Sequence, residues 1–153
     1  MKVLELKVPP LVLVAIVAAM MWAVSRVTPN LYFTVAGIGW WSAGIAVLGL
    51  CIAMLGVLAF RAAGTTVDPR VPEQSVNLVV GGVYRHSRNP MYLGFLLVLC
   101  AWGLLLGSVL ALLFLPAFIL YMNRFQIVPE EGFMHKKFGE SYSKYRSEVR
   151  RWL

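Results

Sequence analysis

The side chains best suited to chemistry crowd into one stretch, Asn77-Leu78-Val79-Val80-Gly81-Gly82-Val83-Tyr84-Arg85-His86-Ser87-Arg88-Asn89-Pro90-Met91-Tyr92, directly before a long apolar run. Two glycines open its polar part. Groups able to carry positive charge or to hydrogen-bond fill its middle, and Asn-Pro closes it. The Asn-Pro pair biases Asn89 away from helical angles and lets a helix begin at Pro90, where the missing N–H costs nothing. A second polar feature, the acid pair Glu130-Glu131, lies near the C-terminus. The two features read as halves of one binding site.

Taken singly, each piece has a plainer meaning. Gly81-Gly82 makes a tight turn, since no Walker or dinucleotide spacing surrounds it. Arg85 and Arg88 beside a span can act as anchors reaching to headgroups. His86 is a lone loop histidine. His135 has no acid or cysteine arranged as a triad or metal partner. Cys51 and Cys100 lie inside apolar runs without ligand-spaced partners, so no metal site is expected. No Ser-His-Asp, HExxH or CxxC pattern occurs, which disfavours hydrolysis and metal catalysis.

The elements that must position these residues follow from composition. The chain has 153 residues, enough for one domain (1–153), and is 59% apolar and only 14% charged. Soluble domains are about 45–50% apolar and about 25% charged, so an integral membrane protein is expected. The net charge of +7 sits in segments flanking apolar spans and reads as membrane topology rather than nucleic-acid binding. The predicted fold class is all-α, an integral membrane helical bundle of about four transmembrane helices with a cytosolic amphipathic tail helix. The spans are about 9–25, 38–60, 91–106 and 108–122, and the last two form a short hairpin turning at Gly107-Ser108. Each hairpin leg has about 15 residues, or about 23 Å, less than a full hydrocarbon core. Pro116 is positioned to kink the second leg.

Residues 31–37 read as interfacial, with Trp40 and Trp41 at one headgroup level and Arg61 at the other. The connection 61–90, with Asp68-Pro69 and Val71-Pro72, is too polar for lipid and long enough to be functional. In the tail, 123–153, Pro129-Glu130-Glu131 reads as a helix start and Gly139 as a break. Phe133, Met134, Phe138, Tyr142, Tyr145, Val149 and Trp152 form one apolar face, expected to lie on the membrane. With four crossings, both termini and the 61–90 loop share one side. Thirteen of the fourteen Lys and Arg residues, all but Arg26, then lie there. The positive-inside rule makes that side cytoplasmic, and a bacterial inner membrane is the expected location.

The ordered set Leu78-Val79-x-Gly81-Gly82-Val83-Tyr84-Arg85-x-x-Arg88-Asn89-Pro90-Met91-Tyr92-Leu93-Gly94, then Glu130-Glu131, then Phe138-Gly139-Glu140-x-Tyr142-x-x-Tyr145 and Val149-Arg150-Arg151-Trp152, resembles the isoprenylcysteine carboxyl methyltransferase and phospholipid methyltransferase superfamily. The segment 60–69 resembles the stretch just after the preceding span in bacterial members. The likeness covers roughly 60–152. It implies S-adenosyl-L-methionine as methyl donor, held on the cytosolic side by loop, hairpin and tail. Carried over by position, the Asn77-Leu78-Val79 backbone, Tyr84, Asn89, Pro90, Met91 and Tyr92 would line that donor, with Glu130 closing on it and Arg88 beside it.

Arg88, Asn89 and Tyr92 are positioning candidates, and no residue is singled out as catalytic. Eukaryotic members carry His where this chain has Asn89, and Asn cannot titrate. They place a substrate arginine where this chain has Gln126, with Arg124 two residues earlier. That departure weighs against a prenylcysteine carboxylate and leaves a lipid-soluble or small amphiphilic acceptor. On physical grounds the donor's amine suits Glu130, its sulfonium suits Tyr84 or Tyr92, and its carboxylate suits backbone N–H groups or Arg88. The alternatives are an NADPH-dependent membrane reductase of sterol-reductase type, whose chains are much longer, and a non-enzymatic lipid-binding membrane module.

Overall fold

A computed structural model describes residues 5–64 and 77–153. The expected turns at Asp68-Pro69 and Val71-Pro72, and Lys2, lie outside the described residues. No strand occurs among the described residues, and the all-α class forms as expected.

Helix α1 spans Pro10–Val27 and is opened by Pro9 and Pro10. Its buried residues include Leu13, Val17, Met21 and Ser25, four apart. One narrow stripe therefore faces the protein and the remainder suits lipid. Thr28 ends the helix by donating from Oγ1 to the Val24 carbonyl (2.7 Å), and Pro29 cannot extend it. A 3₁₀ turn, Pro29–Leu31, leads to extended Tyr32. Residues 31–37 are thus non-helical beyond that turn, and α2 (Ile38–Ala62) begins after left-handed Gly37.

Helix α2 packs most extensively against α3, Pro90–Leu106. Small residues permit this. A Cβ on Gly49 would lie 2.7 Å from the Gly94 carbonyl and 2.9 Å from Leu97 Cβ, and one on Gly56 would lie 2.7 Å from Met91 Cγ. Lipid offers little hydrophobic drive between helices, so close backbone approach of this kind supplies the association. Trp102 of α3 ties to α1 by donating to the Ala18 carbonyl (3.0 Å). Helix α3 ends at left-handed Gly107, and Phe33 N–H donates to the Gly107 carbonyl (2.7 Å). The α1–α2 connection therefore lies across the hairpin tip.

The second hairpin leg is α4 (Val109–Leu112) and α5 (Phe114–Tyr121), separated by Leu113. Pro116 has no N–H for the Leu112 carbonyl, which accounts for the interruption just upstream of the proline. The expectation that a new helix starts at Pro129 is corrected here. A π-helical segment, Met122–Ile127, carries the chain without a break into α6, Val128–Glu148. Pro129 leaves the Phe125 carbonyl without its intrahelical donor, and the N–H of Leu6 takes that place at 3.0 Å. The N-terminal segment fastens there twice more. Gln126 Nε2 donates to the Val8 carbonyl (2.5 Å), and Arg124 pairs with Glu5 (2.9 Å). Gly139 breaks α6 as expected, at φ 52° and ψ −121°.

Pro10–Val27, Ile38–Ala62 and the run Val109–Glu148 are long and apolar enough to cross a membrane. Helix α3, with 17 residues, reaches about 25 Å. One apolar cluster joins α1, α3, α5 and the π segment around Met21, Leu99, Phe118 and Met122. A second surrounds Tyr84, Tyr142 and Tyr145.

Candidate functional site

The site forms where α3 begins. Asn89 precedes the helix with φ −131° and ψ 56°, and Pro90 occupies its first turn. Pro90 and Met91 sit against Gly56 of α2, where a larger side chain would not fit. One turn into α3, the Tyr92 hydroxyl donates to Glu130 Oε1 at 2.5 Å. The two halves inferred from sequence, the Asn77–Tyr92 stretch and the acid pair, therefore meet.

Glu130 is partly buried, and burial raises its carboxyl from the ordinary range to about 8. The Tyr92 hydroxyl lowers it, and neighbouring Glu131 raises it further. Glu131 is only 9% exposed and sits between two guanidinium groups. Arg151 holds it in a fork, Nη2 to Oε2 at 2.7 Å and Nε to Oε1 at 3.1 Å. Arg88 Nη2 reaches its Oε1 at 3.1 Å. Arg88 Nη1 also donates to the Arg146 carbonyl at 3.4 Å. The Arg88 side chain is 9% exposed, and its Nε is buried with no partner among the described residues.

Tyr84 belongs to the 3₁₀ turn Gly82–Arg85 that follows the glycine pair, and left-handed Gly82 (φ 60°) permits this turn. Its ring meets Phe60 of α2 with centroids 5.2 Å apart, and its carbonyl accepts from the Tyr145 hydroxyl at 2.7 Å. Burial pushes the Tyr84 hydroxyl well above the ordinary phenol range, with Tyr145 and Glu130 acting the same way. It stays protonated.

Part of the apolar face of α6 packs inward: Met134, Phe138, Tyr142, Tyr145 and Val149 lie against Tyr84, Leu78 and Val79.

Tyr84, Arg88, Asn89, Tyr92 and Glu130 are thus brought together. Leu78 and Val79 support them from the Tyr84 cluster. The Asn77 side chain is spent on the end of α2, donating to the Ala63 carbonyl at 2.7 Å. Asn89 Nδ2 donates to the Arg151 carbonyl at 3.0 Å. Arg124 and Gln126 are engaged with the N-terminal segment. Gln126 is 1% exposed, and its Oε1 is buried without a partner among the described residues. Sequence reasoning gave Arg151 no role. Its only signal was the closing Val149-Arg150-Arg151-Trp152 run. A separate apolar groove of about 260 Å³ lies farther along α2 and α3, lined by Ser42, Ala43, Ala46, Val98, Ala101 and Trp102. It shares no residue with the polar cluster.

A family model described as phospholipid methyltransferase matches residues 38–141. An uncharacterized protein of Haemophilus influenzae is 52% identical over 63 residues, covering 41% of this chain and all of that protein. A protein-S-isoprenylcysteine O-methyltransferase of Schizosaccharomyces pombe is 32% identical over 72 residues, covering 47% of this chain. That match spans only 30% of the Schizosaccharomyces pombe protein. No solved structure matches the chain.

Proposed function

This chain belongs to the phospholipid methyltransferase family, and on that premise we propose that it uses S-adenosyl-L-methionine to methylate a lipid-soluble or small amphiphilic acceptor at the cytosolic membrane face. The observation that carries the reading is the Tyr92–Glu130 bond at the base of α3. It puts a carboxylate beside aromatic faces at the end of a membrane helix.

The residues fit the donor. The Glu130 carboxyl, fixed by Tyr92 at Oε1, would pair with the donor's ammonium group. The buried Nε of Arg88 is a spare donor for a carboxylate. Tyr84 and Tyr92 offer faces to a sulfonium cation. When bound, the donor supplies an activated methyl group on sulfur. The protein's task is then to position, since an in-line displacement with a good leaving group needs orientation more than proton transfer. Tyr92 fixes the Glu130 carboxylate, Glu131 fixes the Arg88 head, and the α6 aromatics exclude water from Tyr84. Asn89 cannot exchange a proton and serves as a hydrogen-bonding anchor. The acceptor enters from lipid between the spans, which suits the apolar walls of α2 and α3. Cytosolic placement follows from the charge count, with Arg26 alone on the opposite side.

The test is thermal unfolding in detergent with each candidate cofactor, because a ligand that binds only the folded state stabilises it. S-adenosyl-L-methionine raises Tm and NADPH does not. Arg88→Ala, Tyr92→Ala and Glu130→Ala each remove the rise. A Tm raised only by NADPH would replace this reading with a reductase, and a rise retained in all three variants would move the site elsewhere.

A further inference from the structure

The last residues of the chain are held more firmly than a helix end requires. Helix α6 stops at Glu148, and Val149 is extended at φ −120° and ψ 134°. Beyond it, the Arg150 carbonyl accepts from Arg88 N–H at 3.0 Å. The Arg151 carbonyl accepts from Asn89 Nδ2 at 3.0 Å and from Ser87 Oγ at 3.4 Å. Trp152 Nε1 donates to Asn123 Oδ1 of the π segment at 3.1 Å. The Arg151 side chain forks onto Glu131, so this short strap touches the loop, the π segment and α6 at once.

We propose that Arg151 and Glu131 are positioning residues of the donor site, strapping the C-terminus across the Ser87–Asn89 loop and balancing the charge beside Glu130. The inference rests on the donor-site reading above. Its physical basis is the buried carboxylate held between two guanidinium groups. Glu131 alone would face Glu130 with a bare like charge and would compete for all of Arg88. With Arg151 in place, Glu131 is neutralised from the outer side, and Arg88 keeps its Nε free.

The groups facing Glu130 are Tyr92 from α3, Tyr84 from the loop and Glu131 from its own helix. Arg88 and Arg151 act on it through Glu131. Loss of Arg151 leaves Glu131 less compensated, so Glu130 keeps its proton to higher pH. Loss of the Glu131 charge does the reverse. A strap with a purely mechanical role would move neither.

The experiment measures S-adenosyl-L-methionine affinity between pH 6 and 9 by calorimetry in detergent, for the parent chain and for Arg151→Gln, Glu131→Gln and Arg151→Lys. The donor's own amine titrates alike in all four proteins, so only the difference between them is read. Arg151→Gln shifts the midpoint of the rising limb up by about half a pH unit or more, and Glu131→Gln shifts it down. Arg151→Lys restores the charge and returns the midpoint to that of the parent chain. If the first two variants weaken binding with the midpoint unchanged, the proposal is overturned. It is overturned equally if Arg151→Lys behaves as Arg151→Gln. Should Arg151→Gln not fold, Glu131→Gln decides alone, a downward shift supporting the proposal and an unmoved midpoint overturning it. Absence of binding to the parent chain removes the donor-site reading itself, and this inference with it.

Discussion

Glu130 is an acid that the fold keeps largely protonated at neutral pH, and two consequences can be measured. Its folded-state value of about 8 lies above the ordinary carboxylate value of 4.5. The folded state of the empty protein therefore binds this proton more tightly than the unfolded chain does. That contribution to stability is complete below the ordinary value and is lost as pH rises through about 8. Tm of the empty protein is expected to fall between pH 5 and 8.5, and Glu130→Gln is expected to flatten that slope. The second consequence concerns binding. Pairing with an ammonium requires the carboxylate form, so donor binding at pH 6.5 releases a proton. Calorimetry in two buffers of different ionisation heat detects this as a buffer-dependent enthalpy, which Glu130→Gln abolishes. That the segment entering α3 meets the acid pair was legible through the family resemblance of the two motifs, whereas the Tyr92–Glu130 bond itself was not. The partner of Glu131 was not legible. Arg151 reaches it only because backbone carbonyls of residues 150 and 151 are pinned to Ser87, Arg88 and Asn89, and no residue pattern announces backbone pairing of that kind.

At the scale of elements, the α2–α3 contact is the platform on which Pro90 and Met91 stand. A Cβ at Gly49 would press on the Gly94 carbonyl, which cannot move aside as a flexible side chain can. Gly49→Ala is expected to cost about 1–3 kcal/mol and to lower Tm in detergent. Gly44→Ala on the same helix, with nothing within 4 Å of its new methyl group, serves as the control and does not lower Tm. The helices α1, α2 and α3 were readable because prolines, a left-handed glycine and apolar length mark their ends. The junction between α5 and α6 was not. Pro129 looks like a helix start when only local rules are weighed. It lies inside a continuous helix because the π segment shifts the register and Leu6, well over a hundred residues away, supplies the donor that Phe125 lacks. The roles of Gln126 and Arg124 were hidden for the same reason, since their partners are Val8 and Glu5.

For the whole molecule, the arrangement is a small bundle in which the segment 5–8, residues 77–89 and the tail gather at one end. The tail's aromatic face closes over Tyr84, which makes this amphipathic helix one wall of the proposed site. The central claim is that a cationic sulfur compound is gripped between the start of α3 and the start of α6. Ultraviolet cross-linking of radiolabelled S-adenosyl-L-methionine to the protein in membranes, followed by peptide mapping, tests this most directly. The account predicts label on the peptides carrying residues 84–92 and 128–134, competed away by excess unlabelled donor. Competable label confined to α1 or to the first half of α2 would contradict it.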